Sequence, residues 1–234
     1  VIGVPGETVG WGARTKYEAG ALHILYGSAQ GTSGIGSDWY YQNSPNWPGR
    51  AETGDRFASA LAIGDIDNDG IGDLVVGIPG EDLGQHQNAG QVQIRYNPGD
   101  WSQTDPSVQT LYQNARGVKN RVESGDQFGH YIEVVDLIED ENLDVVIGVP
   151  GESISKKMNA GAVAILPGLN GEISTGNDQI LYPYQSSITG NSQAEALFGL
   201  SFASLNGDLI VGAPGRNVTG VSAAGAFYYL SYSG

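Results

Sequence analysis

The sequence predicts an all-β fold of tandem four-stranded antiparallel units, and three observations carry that prediction. One phrase recurs four times, as Gly3-Val4-Pro5-Gly6-Glu7, Gly77-Ile78-Pro79-Gly80-Glu81, Gly148-Val149-Pro150-Gly151-Glu152 and Gly212-Ala213-Pro214-Gly215-Arg216. Short β-branched runs flank each copy, and no stretch shows a convincing helical period. The 234 residues include 36 Gly and 10 Pro, the punctuation that many short strands and tight turns require.

The unit reads in order from its landmarks. Strand one follows a Phe, in Gly54-Asp55-Arg56-Phe57, Gly125-Asp126-Gln127-Phe128 and Ala196-Leu197-Phe198-Gly199. Strand two is a β-branched run such as Leu74-Val75-Val76 or Val145-Val146-Ile147, ending in the Gly-x-Pro-Gly phrase. Strand three follows Ala19-Gly20, Ala89-Gly90, Ala160-Gly161 and Ala224-Gly225. Strand four carries Leu-Tyr or Trp-Tyr, as at Leu111-Tyr112 and Leu181-Tyr182. Repeats fall at about 1–48, 49–118, 119–190 and 191–234, with prolines 74, 71 and 64 residues apart. The first lacks strand one and the last lacks strand four, so the strand tally is three, four, four and three. Repeated four-stranded units of this kind build a β-propeller, in which each blade covers the apolar face of the next. The opening residues carry neither a start Met nor a signal-peptide pattern, and read as the interior of a longer chain.

Composition narrows the function classes. Charged residues make up 16% against an apolar 40%, which fits a packed core and not a disordered acidic chain. Twenty-six acidic and 11 basic residues leave a net charge of −15, unsuited to phosphate-backbone contacts, so no nucleic-acid partner is expected. No apolar run is long enough to insert in a bilayer. The absence of Cys removes disulfides, thiolate metal sites and Cys nucleophiles. No Gly-x-Ser-x-Gly elbow or His-Glu-x-x-His pattern occurs, and the Gly-x-Pro-Gly phrases lack the Gly-Lys-Ser/Thr ending of a phosphate loop. The chain is therefore not expected to be an enzyme.

The strongest chemical signal is Asp65-Ile66-Asp67-Asn68-Asp69-Gly70-Ile71-Gly72-Asp73. Carboxylates at loop positions 1, 3, 5 and 9, with Gly70 for the reversal and the Ile71 carbonyl as a further oxygen, suit a hard cation. A flexible cage without fixed water favours calcium over magnesium. Position 12 is Val76 and the flanks are strands, so the loop is no EF-hand. The third repeat keeps the loop length and Asp136, Asp140 and Asp144, but has Ile138 and Glu141 where Asp67 and Gly70 stand; it is a weaker second site. The fourth has only Ser204-Leu205-Asn206-Gly207-Asp208, too short to hold a metal.

Phe-Gly or Phe-Ala, an Asp-rich loop and Gly-(Ile/Val/Ala)-Pro together resemble the FG-GAP repeat of integrin α-subunit propellers. Phrases such as Ile24-Leu25-Tyr26-Gly27-Ser28-Ala29-Gln30-Gly31 are closest in style to bacterial secreted FG-GAP proteins. The resemblance implies a seven-bladed ring, of which about four repeats stand here. It also implies a secreted or cell-surface protein, structural calcium in the loops of the lower face, and adhesion or assembly through the upper face. On that upper face it places Trp11, Arg14, Lys16 and Tyr17 of the first repeat and Trp47 and Arg50 of the first long connector, residue types enriched where proteins and glycans bind. Three readings follow: a calcium-stabilised protein-binding or adhesion module, a carbohydrate-binding module of a larger secreted protein, or a subunit that self-associates through its incomplete blades.

Overall fold

The computed structural model describes residues 1–45, 47–96, 107–115, 117–185 and 188–231, and is all-β apart from one 3-10 turn at Gly12–Arg14. Four antiparallel sheets follow one another along the chain, with three, four, four and three strands. The first is β1 (Ile2–Val4), β2 (Ala21–Ser28) and β3 (Gly31–Tyr40). The second is β4 (Ala60–Gly64), β5 (Asp73–Ile78), β6 (Gln91–Arg95) and β7 (Val108–Leu111). The third holds β8 (Ile132–Val135), β9 (Asp144–Val149), β10 (Ala162–Leu166) and β13 (Gln179–Leu181), with β11 (Gly168–Leu169) and β12 (Glu172–Ile173) forming a separate small hairpin. The fourth is β14 (Phe202–Leu205), β15 (Asp208–Ala213) and β16 (Ala226–Leu230). The small hairpin is an addition to the sequence reading; Asn170 and Gly171 at its tip both have positive φ, as a two-residue hairpin turn demands.

Burial explains why the central strands read as unbroken apolar runs. All six residues of β5 and all six of β9 are buried, because the second and third sheets are covered on both faces. Leu74, Val76 and Ile78 face the first sheet with Leu22 and Ile24, whereas Val75 faces the third with Val145, Ile147 and Val149. Val146, Val163 and Ile165 point the other way, against Phe202, Leu209 and Val211 of the fourth sheet. By contrast β15 alternates between buried and half-buried positions, the period-two pattern of a strand covered on one face.

Each junction between sheets is built around one Phe. Phe57, Phe128 and Phe198 are fully buried, and their backbone N–H groups donate to Ala19, Ala89 and Ala160 of the preceding repeat at 2.9, 2.9 and 3.0 Å. The neighbouring Gly20, Gly90 and Gly161 have φ of +86°, +83° and +84°, and a Cβ on any of them would collide with the backbone N and O of the seated Phe. Ala-Gly is thus the seat for the next repeat's Phe turn.

Polar side chains seal the same junctions. Gln42 at the end of the first sheet donates to Glu81 at 2.6 Å, and Gln113 at the end of the second donates to Glu152 at 2.6 Å. Buried Asp55 and Asp126 accept the N–H of Glu52 and Glu123 at 2.5 and 2.6 Å. Arg95, fully buried, lies 5.4 Å from the ring centres of both Tyr40 and Trp47.

Two predictions follow from these junctions. Phe128→Ala should destabilise by about 3–5 kcal/mol in chemical denaturation. Gly90→Ala should cost more than Gly84→Ala, because both positions have positive φ but only Gly90 is crowded; equal costs would refute the seat. The second concerns pH. Burial raises Asp55 to about 6 and Glu81 to about 7, so the folded chain holds protons there that the unfolded chain has released. Their contribution is full below about pH 4 and is lost as pH rises through 6 and 7. The melting temperature measured in chelator should therefore fall across that window, and Glu81→Gln should flatten the fall.

Candidate metal centre

The acidic loop joins β4 to β5. Ile66, at its second position, is buried in the core between the second and third sheets and pins the loop from below. The loop then folds on its own carboxylates. Asp65 accepts the N–H groups of Asp69 at 3.0 Å and Gly70 at 2.9 Å, and Asp73 accepts that of Ile66 at 2.8 Å. Asn68 and Gly70 take φ of +59° and +89°, completing the reversal.

This scaffold brings Asp65, Asp67 and Asp73 together, each with a carboxylate oxygen within 4.8 Å of the others. Asp73 is fully buried and the other two are half-buried, so the three charges converge on the floor of the loop. A cation held at about 2.3–2.6 Å from each oxygen fits such a spread, and the donor set is all hard oxygen. Asp69 stands apart: it is exposed, and its Oδ1 accepts the Ile71 N–H at 2.7 Å. The side chain of Ile71 is exposed at the loop's rim.

The third repeat's loop makes the same backbone fold without the same convergence. Asp136 accepts the N–H groups of Asp140 and Glu141, both at 3.1 Å, as Asp65 does in the second repeat. Glu141 takes φ of +70° where Gly70 stands in the other loop. Asp144, however, is spent on the backbone: Oδ2 accepts from Leu137 at 2.8 Å and Ile138 at 3.1 Å, and Oδ1 accepts from Gly168 at 3.0 Å. Burial raises its pKa. Among the described residues Asp136, Asp140 and Asp144 do not gather into a metal-sized group. The lost ligand is Ile138, whose N–H takes part of Asp144 instead.

The residues expected on a ligand face divide. Trp11 is 92% exposed, and Arg14 and Tyr17 are exposed beside it on the connection between β1 and β2. Arg50 is exposed on the connection between β3 and β4. These connections meet: Gly54 donates to the Tyr17 carbonyl at 2.9 Å, and Arg56 pairs with Glu18 at 2.9 Å. Trp47 is a correction to the sequence reading. It is only 3% exposed, packs edge-on against Phe57 at 5.3 Å and donates its indole N–H to Gln93 at 2.5 Å. It belongs to the core of the first junction and not to a binding face.

A group of carboxylates that the sequence reading passed over is Glu123, Asp126 and Glu152, which also approach within 4.8 Å of one another. Asp126 and Glu152 sit inside the Gly-Asp-x-Phe and Pro-Gly-Glu phrases, whose repetition reads as turn chemistry alone.

A 96-residue stretch is 33% identical to phosphatidylinositol-glycan-specific phospholipase D of Rattus norvegicus, covering 41% of this chain and 11% of that protein. The chain thus spans about a tenth of that relative's length. Residues 57–94 match the FG-GAP repeat family, a span that runs from the seated Phe57 through the acidic loop and the Gly-x-Pro-Gly phrase into β6. The chain therefore carries an FG-GAP repeat at residues 57–94.

Proposed function

We propose that the chain is a calcium-stabilised interaction module, its sheets the blades of a β-propeller in a secreted or cell-surface protein, and that it acts by binding and not by catalysis. One observation carries the calcium part: Asp65, Asp67 and Asp73 converge within 4.8 Å on a loop whose backbone is already fixed by its own hydrogen bonds. The ion would supply no reaction chemistry. Its role is to neutralise three close carboxylates and lock the β4–β5 loop against the core that Ile66 enters.

The binding part rests on the repeat family and on the end of the sheets opposite that loop. There Trp11, Arg14 and Tyr17 project on one connection and Arg50 on the next. Membership in a repeat family points to protein ligands by analogy of fold. The exposure of Trp11 and Tyr17 favours a second reading, in which their rings stack on a glycan. The activity in the rat relative's name is not transferred, since the match covers 11% of that protein.

Calcium titration by calorimetry tests the first part. Asp67→Ala should abolish binding at the loop, and Asp69→Ala should weaken it less, since Asp69 lies outside the converging group. At a calcium concentration 100-fold above the dissociation constant the parent should gain about 2.7 kcal/mol over the chelated state. Parent and Asp67→Ala with the same calcium response would refute the loop as the site. For the second part, a panel of neutral sugars followed by tryptophan fluorescence separates the two ligand classes. A response that Trp11→Ala removes supports the glycan, and none in the parent leaves protein binding.

A further inference from the structure

The cluster at the junction of the second and third sheets has the makings of a site. Asp126 and Gln113 are each 1% exposed and Glu152 is 3% exposed, while Glu123 reaches in from the surface. The three carboxylates present oxygen, and Glu152 already accepts hydrogen bonds from Gln113, Asn120 and Ser153. Gln113 donates its amide N–H to Glu152 at 2.6 Å, and its buried side-chain carbonyl oxygen has no hydrogen-bond partner. Asp126 uses Oδ2 to accept the Glu123 N–H, and its buried Oδ1 has no partner either. Two buried acceptors are thus left without donors beside three carboxylates, an arrangement that costs free energy unless something positive completes it.

Comparison between repeats shows that these residues travel as a set. Glu52, Asp55, Glu81 and Gln42 occupy the same places at the junction before, with the same Gln-to-Glu and Asp-to-N–H hydrogen bonds. At the junction after, all four change together, to Gln193, Ala196, Arg216 and Pro183. There the chain supplies its own cation: Arg216 donates to the Asn191 carbonyl at 2.7 Å and lies 5.5 Å from the Tyr228 ring centre. Loss of the acidic set coincides with the arrival of a fixed positive charge.

We propose that Glu123, Asp126 and Glu152, the last positioned by the Gln113 amide, bind a divalent cation of the calcium class, a staple between the second and third sheets that is separate from the β4–β5 loop. At about 2.3–2.6 Å from each ligand, such an ion bridges oxygens lying within 4.8 Å of one another. An approach exists from the surface, because Glu152 lines an open hollow of about 720 Å³ beside Asn120 and Ser153. The ligands come from two sheets, so binding ties the repeats together, which the loop site within one repeat does not do.

Native mass spectra of the whole chain in calcium, recorded with calcium titrations, test this. Asp126→Asn should bind one calcium fewer than the parent, Asp67→Asn should lose a different one, and the double variant should lose both. Each variant is read against the parent separately, so failure of the loop site and failure of this one are distinguishable. Gln113→Leu keeps all the carboxylates and should weaken the same site by roughly tenfold or more, which covers a poorly folded Asp126→Asn. The proposal is overturned if Asp126→Asn and Gln113→Leu both match the parent in calcium count and affinity. It is also overturned if carbon NMR shows Asp126 still protonated at neutral pH in saturating calcium, since a proton would then hold the ion's place.

Discussion

The structure depends on one backbone contact, the seating of a Phe turn on the Ala-Gly dipeptide of the preceding repeat. It occurs three times with the same hydrogen bond and the same glycine conformation. The contact fixes more than the Phe. Once Phe128 is seated on Gly90, strand β8 must start beside β5, and Ile132 enters the core shared by the two sheets. The apolar burial that stabilises the molecule follows from that placement, because both faces of β5 and β9 find a neighbouring sheet. A side chain at Gly20, Gly90 or Gly161 would hold the sheets apart and leave those faces to water.

Packing sheets this closely brings their polar ends together as well, and the chain handles the resulting charge in three ways. In the β4–β5 loop the carboxylates of the half-buried Asp65 and Asp67 and the fully buried Asp73 converge, a geometry suited to an ion. In the next loop Asp144 is answered by three backbone N–H groups, one of them from the β11–β12 hairpin. At the junction clusters neither solution is complete, and oxygens are left over.

Much of the fold could be read from sequence because its determinants are local. The Gly-x-Pro-Gly and Ala-Gly phrases mark strand ends within a few residues, and the acidic loop folds largely on hydrogen bonds four to seven residues apart. What was missed depends on distant partners. Trp47 reads as a surface aromatic on a long connector, yet its fate is set by Gln93, 46 residues on, and by Arg95. Asp144 reads as a metal ligand, but Gly168, 24 residues later, occupies its second oxygen. The Glu123, Asp126 and Glu152 cluster is assembled across a sheet junction from residues that serve as turn markers in their own phrases. The β11–β12 hairpin is the exception, since Asn170-Gly171 was a readable local signal.

The fourth repeat separates what the fold requires from what is added to it. It keeps the seated Phe198, the crowded Gly161 and the apolar contact of Phe202, Leu209 and Val211 with the third sheet. It has lost the long acidic loop, every acid of the junction cluster and the Gln that reaches across. The Phe seat and the apolar faces therefore suffice to place a sheet, and the carboxylates of the second and third repeats are not needed for that task. Buried acids cost free energy wherever they are not completed. Their presence in two repeats, in the same positions and with the same Gln-to-Glu and Asp-to-N–H hydrogen bonds, is a feature that placing the sheets does not require.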